Sequence, residues 1–181
     1  MSTEEIELIR RAKQGDPTAL AEIYDRHQPA IYRYIFHQVS DVATAEDLTG
    51  EVFVRLVDKI DHFTYRGYPL LTWLYAIARN LVTDYHRRRA RRPQLLALDE
   101  RLVADVADPE KAAELSLAQD RLTAALAHLT EDQRQVILLK FIAGLDNGTV
   151  ARVLGKSVGA VKSLQHRGLA ALRRILEENG T

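Results

Sequence analysis

Lys162, Ser163, His166 and Arg167 are the side chains whose types and spacing most plainly suggest chemistry. On a helix, 162 lies beside 166 and 163 beside 167, so the four share one face. Ammonium and guanidinium groups suit guanine edges or phosphates, while serine and histidine can make either contact. The chemistry is recognition of a polyanion, not bond making. From Arg152 to Arg174 there are six basic residues and no acid, which argues against an ordinary solvated helix face.

A second set joins rings to cations. Phe63, Tyr65, Tyr68, Trp73, Tyr75 and Tyr85 are half of the chain's twelve aromatic residues, and they lie beside Arg79, Arg87, Arg88, Arg89, Arg91 and Arg92. That combination suits unstacked bases, each of which can stack on a ring while the backbone follows the charges. Phe63, Tyr65 and Tyr68 fall in a segment with Gly67 and Pro69 and are expected to be exposed. Trp73 and Tyr85 lie on an apolar stripe and serve core packing equally well. One part of the chain is equipped for duplex and another for parted strands.

Enzymatic chemistry finds no support. The six histidines (27, 37, 62, 86, 128 and 166) are scattered, and neither His-Glu-x-x-His nor a phosphate-cradling glycine loop occurs. No catalytic residue, metal or cofactor is expected. With no cysteine, disulfides, thiolate zinc sites and iron–sulfur clusters are excluded. The formal charge is zero, from 25 basic and 25 acidic residues, but the zero conceals segregation. Thr72–Pro93 carries six bases and one acid; Gln94–Asp120 carries seven acids and two bases. Two basic patches on a neutral chain point to two contacts with nucleic acid. No apolar run approaches the ~18 residues of a membrane span. The acidic start, Met1-Ser2-Thr3-Glu4-Glu5, lacks the plan of a signal peptide, so a cytoplasmic protein without membrane insertion is expected.

The elements that must position these groups read as helices throughout. Asp16 caps a helix with Pro17 at its first position, and Pro29 is expected to bend or break it. Ser40 or Asp41 starts the next, with Leu48, Val52, Leu56 and Ile60 recurring every four residues. His62–Pro69 is a loop, and Leu70 to about Arg89 is a longer helix bearing Trp73, Ile77, Leu81 and Tyr85 on one face. The expected division is 1–93 as a helical bundle, 94–114 as an acidic linker and 115–181 as a second helical domain. In the latter, Thr130 and Gln133 form a capping box whose helix stops at Gly144. Helices over about Asp146–Leu154 and Ser157–Leu176 are joined by Gly155-Lys156. Ala151, Gly155, Val161 and Leu164 have the spacing of a helix-turn-helix. There a small residue permits close crossing, glycine takes a left-handed turn, and apolar residues anchor the second helix. Val150, Leu154, Val158, Leu169 and Leu172 are expected to add core positions, and Ser157 to cap the second helix.

With these motifs in hand, the chain resembles the bacterial RNA polymerase sigma factors of the extracytoplasmic-function (ECF) group in the sigma-70 family. Ala45-Glu46-Asp47-Leu48-Thr49-Gly50-Glu51-Val52-Phe53 resembles the family's polymerase-binding helix. Phe63 through Thr72-Trp73-Leu74-Tyr75-Ala76-Ile77-Ala78-Arg79-Asn80 resembles its melting and −10-recognition segment. Leu129-Thr130-Glu131-Asp132-Gln133-Arg134 and Ser157-Val158-Gly159-Ala160-Val161-Lys162-Ser163 resemble its −35-binding domain. The resemblance covers nearly the whole chain in the right order.

It implies an all-α, two-domain transcription initiation factor. Asp47, Glu51, Phe53, Arg55 and Asp58 would bind core RNA polymerase at the β′ clamp helices, with a second contact at the β flap. Phe63, Tyr65, Tyr68 and Trp73 would capture and melt, with Arg79, Asn80, Thr83, Asp84, Arg87 and Arg88 facing the −10 DNA. Ser157, Gly159, Ala160, Lys162, Ser163, His166 and Arg167 would enter the −35 major groove. An anti-sigma factor is the further partner it implies. The competing reading, a stand-alone helix-turn-helix regulator, gives no role to the Asp47–Asp58 face or to the aromatic loop.

Overall fold

The computed structural model describes residues 1–92 and 109–178. Eight α-helices run through them: α1 (Thr3–Lys13), α2 (Pro17–Val39), α3 (Val42–Lys59), α4 (Leu70–Arg91), α5 (Pro109–Ala127), α6 (Glu131–Ile137), α7 (Asn147–Leu154) and α8 (Val158–Glu178). No strand occurs among the described residues. The acidic segment expected at 94–114 lies outside the described residues as far as 108, and from Pro109 the backbone is already α5.

Local chemistry explains most of the boundaries. The Asp16 side chain accepts from the Thr18 and Ala19 N–H groups, with Pro17 at the first helical position. Asp41 caps α3 through Thr44 N–H at 2.8 Å, while Ser40 closes α2 in a left-handed conformation. Pro29 does not break α2. It and Asp25 are exposed, so the carbonyl that loses its partner is open to water, while buried Ile23, Ile31 and Tyr34 hold both halves on the core. Thr130 and Gln133 form the reciprocal capping box. The helix then widens into a π turn, Leu138–Ile142, before Gly144 turns the chain at φ +70°.

The first bundle packs α1, α3 and α4 around α2, with Ile23, Ile31, Ile35, Leu56, Leu70 and Leu74 fully covered. The second gathers α5, α6 and α7 on α8. Gly168 lets α8 approach α6, since a Cβ there would stand 3.1 Å from Ile137 Cγ1. Two expected core residues are instead exposed: Val158 at 42% and Leu169 at 41%. Both lie on the outward side of α8, whose inward side is filled by Val161, Leu164, Gly168 and Leu172. The bundles also meet each other, α4 against α7 and α2 against the π turn.

Candidate nucleic-acid interface

α8 owes its orientation to the joint before it. Gly155 ends α7 at φ +63°, a conformation a Cβ would strain by about 1–2 kcal/mol. Ser157 Oγ then accepts the Ala160 N–H at 3.1 Å, satisfying one open donor at the start of α8. Val161 and Leu164 are buried, so Lys162, Ser163, His166 and Arg167 are turned outward, and all four are exposed. Gly159 is exposed as well, and Ala160 is half-buried. The expected reading face is therefore assembled on one helix.

The aromatic loop is only partly open. Tyr65 is 46% exposed, whereas Phe63 and Tyr68, expected at the surface, are half-buried. Phe63 packs on Trp73 with ring centroids 5.2 Å apart. Tyr68 lies under the Arg152 guanidinium, 4.7 Å from its ring centroid, a cation–π contact worth ~0.5–1 kcal/mol when exposed. Arg152 belongs to α7, so this contact joins the loop to the helix-turn-helix. Along α4, Arg79 Nη1 donates to Asn80 Oδ1 at 3.2 Å and Asp84 pairs with Arg87 at 3.5 Å. Arg87 and Arg88 are exposed. Thr83 Oγ1 donates at 2.7 Å to Glu131 Oε1 of α6.

On α3, Asp47, Glu51 and Asp58 are exposed, and Arg55 pairs back to Glu51 at 3.1 Å. Phe53 departs from expectation. At 7% exposure it packs edge-on against Tyr24 and supports the helix from within, because position 53 turns beside the inward stripe of Val52 and Leu56. Val54 and Val57, not singled out in the sequence, are exposed on this helix and add apolar area to the acidic face.

The seam between the bundles lies within one continuous hydrophobic core, and it carries polar bonds that no motif made visible. Tyr34, fully buried, donates its hydroxyl to Gln135 Oε1, and burial pushes its phenol pKa up, so it stays a neutral donor. Arg134 Nε donates to Gln38 Oε1 at 3.0 Å, and burial lowers the Arg134 pKa. His86 lies in the same seam. Its pKa is lowered, first by burial and then by Arg134. Beside the Tyr68–Arg152 contact a cleft of about 1030 Å³ opens, walled by the aromatic loop and α7. Among the described residues no group of three or more His, Asp or Glu is placed to hold a metal ion. No helix among them is long and apolar enough to cross a membrane.

Residues 23–92 match the family description "Sigma-70 region 2" and residues 119–172 match "Sigma-70, region 4". The ECF RNA polymerase sigma factor SigW of Bacillus subtilis is 33% identical over 181 residues, covering 94% of this chain and 95% of SigW. The chain belongs to the ECF sigma factors of the sigma-70 family. BldN of Streptomyces coelicolor, another ECF sigma factor, is 39% identical over 176 residues; the alignment spans 96% of this sigma factor and 66% of the length of BldN. Among solved structures, CnrH in complex with the cytosolic domain of CnrY aligns at a TM-score of 0.74 and 27% identity, covering 96% of this chain and 97% of CnrH. The sigma factor is thus an all-α promoter-specificity factor for RNA polymerase, and not an enzyme.

Proposed function

We propose that this sigma factor divides promoter recognition between two faces. Residues 1–93 bind core polymerase and open the −10 element, residues 115–181 read the −35 element as duplex, and the acidic segment 94–114 joins them. The observation that carries this reading is the outer face of α8, where Lys162, Ser163, His166 and Arg167 are exposed together while Val161 and Leu164 anchor the opposite side. A helix of this kind fits the major groove. On α3, Asp47, Glu51 and Asp58 with Val54 and Val57 dock on the β′ clamp helices, and the second bundle reaches the β flap. Tyr65, with Phe63, Tyr68 and Trp73 behind it, captures an unpaired base of the −10 non-template strand, and Arg79, Asn80, Thr83, Asp84, Arg87 and Arg88 follow that DNA. Binding energy of ~1–3 kcal/mol per stacked base drives the opening.

The packed bundles are the resting form. Elements about 25 base pairs apart lie roughly 85 Å apart at 3.4 Å per pair. A compact chain of this length has a radius of gyration of about 16 Å, too short to touch both. Polymerase therefore has to part the seam. An anti-sigma factor acts in the opposite direction, by holding the bundles as a pair; the match to CnrH, which was solved in complex with CnrY, supports such a partner. The protein works in the cytoplasm.

Capture of core polymerase by the tagged protein, followed by run-off transcription on a genomic library, tests the reading. We expect saturable capture and discrete transcripts. The double change Asp47→Ala with Glu51→Ala should reduce capture without altering helix content. Tight promoter binding by the free chain with no capture of polymerase would instead identify a stand-alone helix-turn-helix regulator.

A further inference from the structure

α1 lies before residue 23, outside the matched sigma region 2, yet it touches both ends of the aromatic loop. At the loop's start, Lys13 Nζ donates to the Phe63 carbonyl at 2.5 Å. At its end, Glu5 Oε1 accepts the Leu70 N–H at 3.1 Å. That second bond supplies what the local sequence lacks. Pro69 occupies the N-cap of α4 and has no side-chain acceptor, so the first N–H of α4 is capped by a carboxylate 65 residues away. The negative charge also suits the positive end of the helix dipole.

Glu5 and Lys13 are eight residues apart on α1, about 12 Å along the axis. α1 is itself fixed. Leu8, Ile9 and Ala12 are buried, Glu4 pairs with Arg26 of α2 at 2.5 Å, and Arg11 pairs with Asp16 at 2.7 Å. A rigid helix thus holds two points of the chain at a set separation, and the Phe63–Pro69 loop spans them.

We propose that α1 is a gauge for the melting loop, with Glu5 and Lys13 as positioning residues that set where Phe63, Tyr65 and Tyr68 present their rings. Neither residue touches DNA. The proposal rests on the reading that this loop captures an unpaired −10 base.

The test uses reconstituted holoenzyme on a promoter selected by run-off transcription. Fork-junction templates carry an abasic site at each non-template −10 position in turn. For the wild type, one abasic position should weaken binding; if none does, base capture itself is wrong. Glu5→Ala and Lys13→Met should each bind the intact fork about fivefold more weakly. On the fork abasic at the sensitive position they should equal the wild type, because the base the loop presents to is gone. Glu5→Gln keeps an acceptor oxygen and should restore most of the affinity. An equal loss on intact and abasic forks, or no loss on either, overturns the gauge while leaving base capture in place. Lys13→Met, at the far end of the loop from the α4 cap, decides the matter if Glu5→Ala fails to fold.

Discussion

Lys162 and Arg167 are exposed on α8, and Arg167 Nε donates to the Ser163 carbonyl at 3.4 Å, within their own helix. Groups so placed lose little when they turn to DNA. Lys162→Ala and Arg167→Ala should each weaken −35-dependent transcription, by about 1–3 kcal/mol where the contact is to a base edge. A contact to phosphate would show differently, as a salt dependence shallower by about one unit of slope. Filter binding of holoenzyme across a salt series separates the two cases. Unchanged activity in both variants would remove α8 from the reading role. Phe53 illustrates the opposite limit: a residue the family likeness assigns to polymerase is spent on packing against Tyr24, and Val54 and Val57 carry the exposed apolar area instead.

At the scale of elements, the joint between α7 and α8 is the sharpest test of how sequence sets geometry. Space around Gly155 is open, so Gly155→Ala should cost only its backbone strain, about 1–2 kcal/mol, readable as a lower midpoint in urea unfolding. Gly168→Ala differs, because its methyl would press on Ile137. What the sequence made legible was local. The Asp16-Pro17 start, the Thr130–Gln133 box and the left-handed Gly155 each involve groups within a few residues, where side-chain chemistry dictates backbone form. Of the bend or break expected at Pro29, the break does not occur, because burial of Ile23, Ile31 and Tyr34 keeps α2 continuous across an exposed proline. Val158 and Leu169 misled because apolarity alone does not say which side of a helix is covered. The loop was readable as a loop, but its half-burial was not, since Arg152 and Trp73 cover it from distant positions. Nor did any motif announce Glu5 as a cap for α4.

For the whole molecule, the proposed mechanism turns on parting the seam between the bundles. Apolar packing crosses it, but its polar bonds, Tyr34 to Gln135, Arg134 to Gln38 and Thr83 to Glu131, are ones that water can replace on opening. His86 should make closure of the seam sensitive to protons. Arg134 and Glu131 of α6 and Arg89 of its own helix act on it, Gln38 of α2 accepts its hydrogen bond, and Tyr85 lies beside its ring. Its Nε2 is buried with no partner among the described residues. Burial and Arg134 lower its pKa in the closed form, whereas an opened seam returns it toward the ordinary value of about 6.5. Closure therefore keeps the full contribution of neutral His86 above about pH 6.5 and loses it as pH falls through the lowered value. The absence of cysteine allows clean labelling at Thr18→Cys and Ala170→Cys, both exposed. Energy transfer between the labels should fall on acidification from pH 7.5 to 5.5, and His86→Phe should abolish the response. A response that survives in His86→Phe would place the proton elsewhere.

The division between a duplex-reading face and a strand-trapping loop is tested most directly by permanganate reactivity of −10 thymines in complexes formed by reconstituted holoenzyme. The wild type should expose those thymines, and Tyr65→Ala with Tyr68→Ala should lose the exposure while closed-complex binding upstream persists. Thymines that remain unreactive with the wild type, or equally reactive with the double variant, would contradict it.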